Sequence, residues 1–203
     1  MSSAVERLAV IVDHSDGAGD ILEWVALEHA YGHEFPVDYQ EFVAALGEGS
    51  FNEDGLMVAI PRVPQDERWR VHRLPDDTVT APDMQSWAQS ERAGRYLLRD
   101  ILVWGGTGTG DVLCWLTEES SPDQWPVAVW SRASAAWEVY ECGMVEFLIR
   151  VFTAEFEECP ISDVAVWGTR PQFLHALEEE RLREAGLNPW TGALDPFAGL
   201  QYE

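Results

Sequence analysis

Four glycines fall within six residues of the stretch "WGGTGTGDVLCW" (Trp104 to Trp115), at Gly105, Gly106, Gly108 and Gly110. Phosphate-cradling loops use such density, because backbone N–H groups must approach the anion with no Cβ in the way. A Walker A loop follows its second glycine with Lys, which meets the phosphates, and then Ser or Thr, which holds magnesium. Gly105 and Gly110 have the right separation, but Asp111 and Val112 follow them. A carboxylate in the lysine's place repels phosphate. The dinucleotide pattern G-x-G-x-x-G fails too: begun at Gly106 it needs glycine at 111, and begun at Gly105 it needs one at 107, which is Thr. A phosphate loop also leads into a helix, whereas "DVLCWLT" has the composition of a strand. The stretch therefore reads as the glycine-rich turn of a β-hairpin.

Other chemistry-bearing residues are sparse or uninformative. His29 and His33 are four apart, a metal-capable spacing on a helix, but Gly32 is expected to end the helix between them. No third ligand is apparent and there is no HExxH glutamate, so no metal site is expected; His14, His72 and His175 are isolated. No G-x-S-x-G elbow points to a nucleophile. Carboxylates are so numerous that any acid–base pair can be picked by chance. Cys114, Cys142 and Cys159 include no CxxC, which argues against a disulfide framework or zinc knuckle and suits a reducing cytoplasm. The expectation is a chain with no catalytic residues and no cofactor.

Tryptophan is abundant instead. Trp104, Trp115, Trp125, Trp130 and Trp137 all lie in or beside one block of strand-like runs. Most are needed as core, and any surplus on an open face would be a ready interface, since Trp is enriched in binding hot spots.

The charge sets the class of partner. Thirteen basic residues, all Arg, face 36 acidic ones, for a net charge of −23 over 203 residues. Such a field repels nucleic acid and anionic membranes and attracts basic partners. Its bland counterpart is proteome-wide acidity that serves solubility alone. Arg92, Arg95 and Arg99 form the one basic helix face. No apolar run approaches the roughly 20 residues of a membrane helix, and Met1 to Gly17 lacks the basic region and cleavage site of a signal peptide.

These residues need elements to place them. Asp20 and Glu23 resemble a capping box for a helix over Ile21 to Tyr31, closed by Gly32. Pro36 opens a second helix whose apolar positions are Tyr39, Phe42, Val43 and Leu46, with Gly47 ending it. "GLMVAIP" (Gly55 to Pro61) reads as a strand, Arg62 to Pro82 as a surface loop with a strand near Trp69 to Val71, and Asp83 to Leu98 as a helix. "ILVWG", "DVLCWLT", "PVAVWSR" and "AWEVYE" follow with gaps too short for crossover helices, so they are antiparallel neighbours. Gly143 opens a helix buried along Met144, Phe147, Leu148, Val151 and Phe152, with Glu146 and Arg150 as an i, i+4 pair. "DVAVWG" (Asp163 to Gly168) is a short strand, and Pro171 to Ala185 a helix. The aromatic tail carrying Trp190, Phe197 and Tyr202 either packs back onto the body or binds a partner. The fold class is α+β, a single antiparallel or mixed sheet with helices mainly on one face.

Trp24, Glu28, Gly32, "FPVDYQEF" with Pro36 and Tyr39, and "GEG" from Gly47 resemble the opening of the SUKH superfamily, the Smi/Knr-like domain. "LVWGGTGTGDVLCWL" with Gly110, Asp111 and Trp115, then "WPVAVW" and "GMVEFL", resemble its second block. The resemblance spans roughly residues 20–150. It implies one domain, with residues 1–160 as the Smi/Knr-like part and 161–203 as a C-terminal helix and tail packed onto it. It also implies a non-catalytic protein-binding module. Bacterial members are mostly cytoplasmic immunity proteins that neutralise a cognate polymorphic toxin, often a nuclease or deaminase, and eukaryotic members are regulators. On that reading the matching residues are structural, and the partner is a toxin domain with a basic surface. The contacts expected from clustering and exposure are Asp76, Asp77, Glu118, Glu119 and Asp123.

Overall fold

Strand-forming residues dominate from Ile101 to Tyr140, and their side chains alternate between two apolar surroundings. The computed structural model describes residues 3–14, 19–53, 55–62, 101–117 and 121–196. In chain order the elements are α1 (Ser3–Ile11), β1 (Asp13–His14), α2 (Trp24–Tyr31), α3 (Val37–Ala45), β2 (Gly49–Phe51), β3 (Leu56–Val58), β4 (Ile101–Thr107), β5 (Val112–Leu116), β6 (Val127–Ser131), β7 (Ala136–Tyr140), α4 (Met144–Phe152), β8 (Gln172–His175) and α5 (Ala176–Glu184). The strands form one sheet in the order β1-β8-β2-β3-β4-β5-β6-β7. Every pairing is antiparallel except β1 with β8, so the sheet is mixed and the class is α+β. The expected loop, strand and helix over residues 63–98, with its arginine face, lie outside the described residues.

Helices α1, α3 and α4 pack on one face. Val5 and Leu8 of α1, Tyr39, Phe42 and Val43 of α3, and seven of the nine residues of α4 are buried there. They meet Phe51, Leu113, Trp115, Val127, Val129 and Phe173 of the sheet. The alternate residues Val112, Cys114, Leu116, Ala128, Trp130, Trp137 and Val139 form a second buried cluster, which strand alternation puts on the opposite face. All five residues of β5 are consequently buried, the signature of a strand covered on both sides.

One irregularity in β4 accommodates the largest side chain. Val103 pairs with Cys114 and Gly105 with Leu113, so Trp104 is an extra residue in the ladder. A β-bulge of this kind sets two residues against one and re-aims a side chain. Trp104 thereby joins the helix-side core, its ring 6.0 Å from that of Trp115. Gly105 makes this possible, because a Cβ there would lie 2.4 Å from the Met57 carbonyl oxygen. All five tryptophans of the strand block are at most 3% exposed. They are core, and none is surplus for an interface.

Several local expectations are corrected. Asp20 does not cap α2, which starts at Trp24 behind Glu23 with no side-chain cap. The Asp20 N–H is spent on Val43 O (2.8 Å), and its carboxylate accepts from Glu48 N (2.7 Å). "DVAVWG" is a single 3-10 turn at Val164–Val166 capped by Asp163, not a strand. Gln172 to His175 is strand β8, inserted between β1 and β2, so the helix begins only at Ala176. Glu146 pairs with Arg7 of α1 at 2.8 Å, while Arg150 lies over the Phe156 ring, 4.1 Å from its centroid. In the tail, Trp190 is half-buried and Leu187 bridges Leu194. Phe197 and Tyr202 lie outside the described residues.

Two carboxylates on other segments start the helices. Asp123 Oδ1 accepts from Val37 N at 2.7 Å, and Asp38 Oδ2 accepts from Val145 N at 3.0 Å. Burial raises the Asp38 carboxyl above its ordinary value, against the lowering effect of bonds from the Val145 and Tyr39 backbones. A raised folded-state pKa means that folding binds a proton, so Asp38's contribution is complete at low pH and is lost as pH rises through that value. Asp38→Asn keeps an acceptor for Val145 and removes the buried charge. Its stability relative to wild type should therefore increase as pH rises from about 4 to about 7.5, read from denaturation midpoints. An advantage that grows as pH falls would contradict this. Asp38→Ala, lacking the acceptor, should cost about 1 kcal/mol.

Candidate functional site

Four N–H groups of the glycine turn are already occupied. Thr107 N donates to Asp111 O (3.1 Å), Gly108 N to Gly55 O (3.1 Å) and Gly110 N to Thr107 O (2.9 Å). Asp111 N donates to Thr107 Oγ1 at 3.0 Å. Gly105 and Gly106 lie within the β3–β4–β5 ladder, and Gly110 takes the left-handed φ of +94° that the turn requires. Beside the glycines is an apolar hollow of ≈ 340 Å³ lined by Met57, Ala59 and Val103 among others. This is a hairpin, and nothing in it cradles an anion.

Asp111 is the organising residue. It is 2% exposed, and a buried carboxylate must be matched by donors. Oδ2 accepts from Thr107 Oγ1 (2.8 Å) and Ser162 N (2.7 Å), with Thr109 Oγ1 at 3.4 Å. Oδ1 accepts from Arg132 N (2.7 Å) and Ser162 Oγ (2.5 Å). One side chain thus ties the β4–β5 hairpin to the β6–β7 turn and to the segment after α4. That segment carries Ser162 and forms one wall of a groove.

The groove, ≈ 740 Å³, runs between β7 and residues 156–164. Glu138 and Tyr140 of β7 line one side, and Phe156, Glu157, Glu158 and Ser162 line the other. Tyr140 and Phe156 stack edge-on at 4.8 Å, giving an aromatic floor, and Val164 at the margin is 66% exposed. Glu138, Glu157 and Glu158 are exposed and have no ion-pair partner among the described residues. β7 is the last strand of the sheet, so its outer edge pairs with no described strand. An open-edged, acidic groove with an aromatic floor is chemically suited to an extended, basic segment.

The remaining reactive groups are engaged elsewhere. His175 accepts from Leu177 N through Nδ1 (3.1 Å), capping α5, and its Nε2 faces Asp20 Oδ2 at 3.3 Å. With both nitrogens occupied it is a clasp, not a general base. His29 is exposed, while the His33 ring packs on Trp125 at 5.1 Å and its Nδ1 donates to Glu34 O. Burial raises all three thiols, Cys142 to about 11, so each is protonated at neutral pH. Among the described residues no group of His, Cys, Asp and Glu is arranged to hold a metal ion. No helix among them is long and apolar enough to cross a membrane.

Of the contacts expected from clustering, Asp123 sits at the start of α3 with its carboxylate on Val37 N. Asp76, Asp77, Glu118 and Glu119 lie outside the described residues. The groove acids carried only a weak sequence signal. Glu138 alternates with buried Trp137 and Val139, and Glu157–Glu158 follow an aromatic residue; nothing local marked Ser162. The residues of the family pattern take the following places. Trp24 packs on Phe35 and Tyr39, and the Glu28 carbonyl takes the Gly32 N–H at the end of α2. Pro36 precedes α3, and Gly47 follows it with φ +79°. Buried Tyr39 donates to Ala59 O at 2.6 Å and meets Trp115 edge-on at 4.9 Å.

Asp111→Ala should lower stability by about 3 kcal/mol in urea denaturation, because it strands several buried donors. Ser162→Ala, which leaves the backbone bond intact, should cost about 1 kcal/mol. An Asp111→Ala loss below about 0.5 kcal/mol would contradict the organising role.

The family described as SMI1-KNR4 cell-wall (SUKH_6) matches residues 22–148, from just before α2 into the middle of α4 and more than half of the chain. No curated protein and no solved structure matches it. With its helix-entry residues, its glycine hairpin and its mixed sheet in place, the chain belongs to the SMI1-KNR4 family of the SUKH superfamily.

Proposed function

We propose that the chain is a cytoplasmic immunity protein that binds a cognate polymorphic toxin, of the nuclease type, and neutralises it by occupying its working surface. Membership of a protein-binding family supports a binding role. The observation that carries the finer reading is the net charge of −23 together with the groove's three exposed carboxylates, which have no ion-pair partner among the described residues. Nucleases hold phosphates on basic surfaces. An acidic domain is steered onto such a surface faster than an uncharged one, and association slows as salt rises. Occlusion needs no catalytic group.

The test is co-expression with the toxin encoded beside the gene. Host cells should survive with this protein and die without it. Equal killing in both cultures would overturn the reading, and a stable, non-toxic partner recovered from the host would favour a regulatory module instead.

A further inference from the structure

We infer that the groove beside β7 is where the partner docks, by adding an extended, Arg- or Lys-rich segment of its own chain to the open edge of the sheet. This deepens the proposed function and rests on it for the nature of the partner. Three independent features converge. β7 is the last of the described strands of the sheet, and a sheet edge presents backbone N–H and C=O groups ready to pair with a further strand. Natural proteins blunt such edges with Pro, charged side chains or a covering element. Ala136–Tyr140 contains no Pro and a single charge, Glu138, and residues 156–164 leave a cavity of ≈ 740 Å³ beside it.

Charge selects the occupant. Glu138 projects from β7 itself, and Glu157 and Glu158 come from the facing wall. A strand laid along β7 with cations at alternate positions would meet carboxylates from both sides. Its intervening apolar side chains would reach the Tyr140–Phe156 floor and exposed Val164. The wall is held in place: Asp111 bonds both the N–H and the hydroxyl of Ser162, and Arg150 backs Phe156. Little ordering is therefore left to the binding step, which favours affinity. A second copy of this chain is a poor occupant, since it would bring the same carboxylates to the same groove.

The experiment uses the full chain and a fluorescein-labelled peptide of about ten alternating Arg and Val residues, followed by anisotropy. Binding is expected for this peptide and not for its Glu/Val counterpart. The double variant Glu138→Arg/Glu158→Arg should weaken binding at least about tenfold. The charge-matched control Glu180→Arg/Glu184→Arg, on exposed α5, should weaken it less than about threefold. Glu138→Gln/Glu158→Gln provides a milder form should the reversal variant fail to fold, as judged by its melting curve. Peptides N-methylated on alternate backbone nitrogens, in either phase, read the strand pairing: one phase should bind and the other should not.

Equal weakening by the α5 control would overturn the inference, because net charge alone would then account for binding. Equal binding of both methylated phases, or no binding to wild type, would overturn it too. So would a concentration-dependent dimer abolished by the groove variant, which would assign the edge to a second copy. In co-expression, a groove variant that protects as well as wild type sinks the docking site and leaves the proposed function standing. A wild type that fails to protect sinks the function, and the peptide measurements still decide the groove.

Discussion

A single carboxylate with almost no exposure sets the terms for this structure. Removing Asp111 from water is costly unless donors replace the solvent, and here they come from three separated segments. Thr107 is local, Arg132 lies in the β6–β7 turn, and Ser162 lies beyond α4. Satisfying the charge brings those segments to one end of the sheet. The glycines around it serve that geometry: they let the hairpin turn tightly and let Trp104 bulge inward. What resembles a nucleotide loop in composition is a clamp, and its object is the wall of the groove.

The second constraint is burial on both faces of the sheet. Five tryptophans supply much of the volume, and a regular ladder would not have taken all of them where they stand. The bulge at Val103–Gly105 adds one residue and aims Trp104 at the helix layer. Asp123 and Asp38 then hold the starts of α3 and α4 from across the chain, so the helix layer is anchored by charge as well as by packing. Acidity in this protein thus has two roles. Some carboxylates are structural acceptors, and those lining the groove are exposed, with no ion-pair partner among the described residues.

Much of this was legible locally. Helices α2, α3 and α4 announced themselves through Gly32, Pro36 and Gly143, and β4 to β7 through short apolar runs with turns between them. What escaped depends on distant pairing. Phe173 and Leu174 are consecutive buried residues without period-2 alternation, next to a charged helical run; only β1 and β2 make them a strand. Helix α1 is short and is held by packing on α4, which its own residues do not disclose. Asp20 had a capping spacing but found stronger partners in Glu48 and His175. The groove was the least visible feature, because its two walls are distant in sequence and meet only through Ser162 and Asp111.

In the proposed role, the groove is the surface that meets the partner. Amide hydrogen exchange on the complex with the cognate toxin tests it most directly, because it reads every segment at once. The prediction is slowed exchange in residues 136–140 and 156–162, with α5 unchanged. Protection confined to other surfaces, with these two segments exchanging as in the free protein, would contradict it.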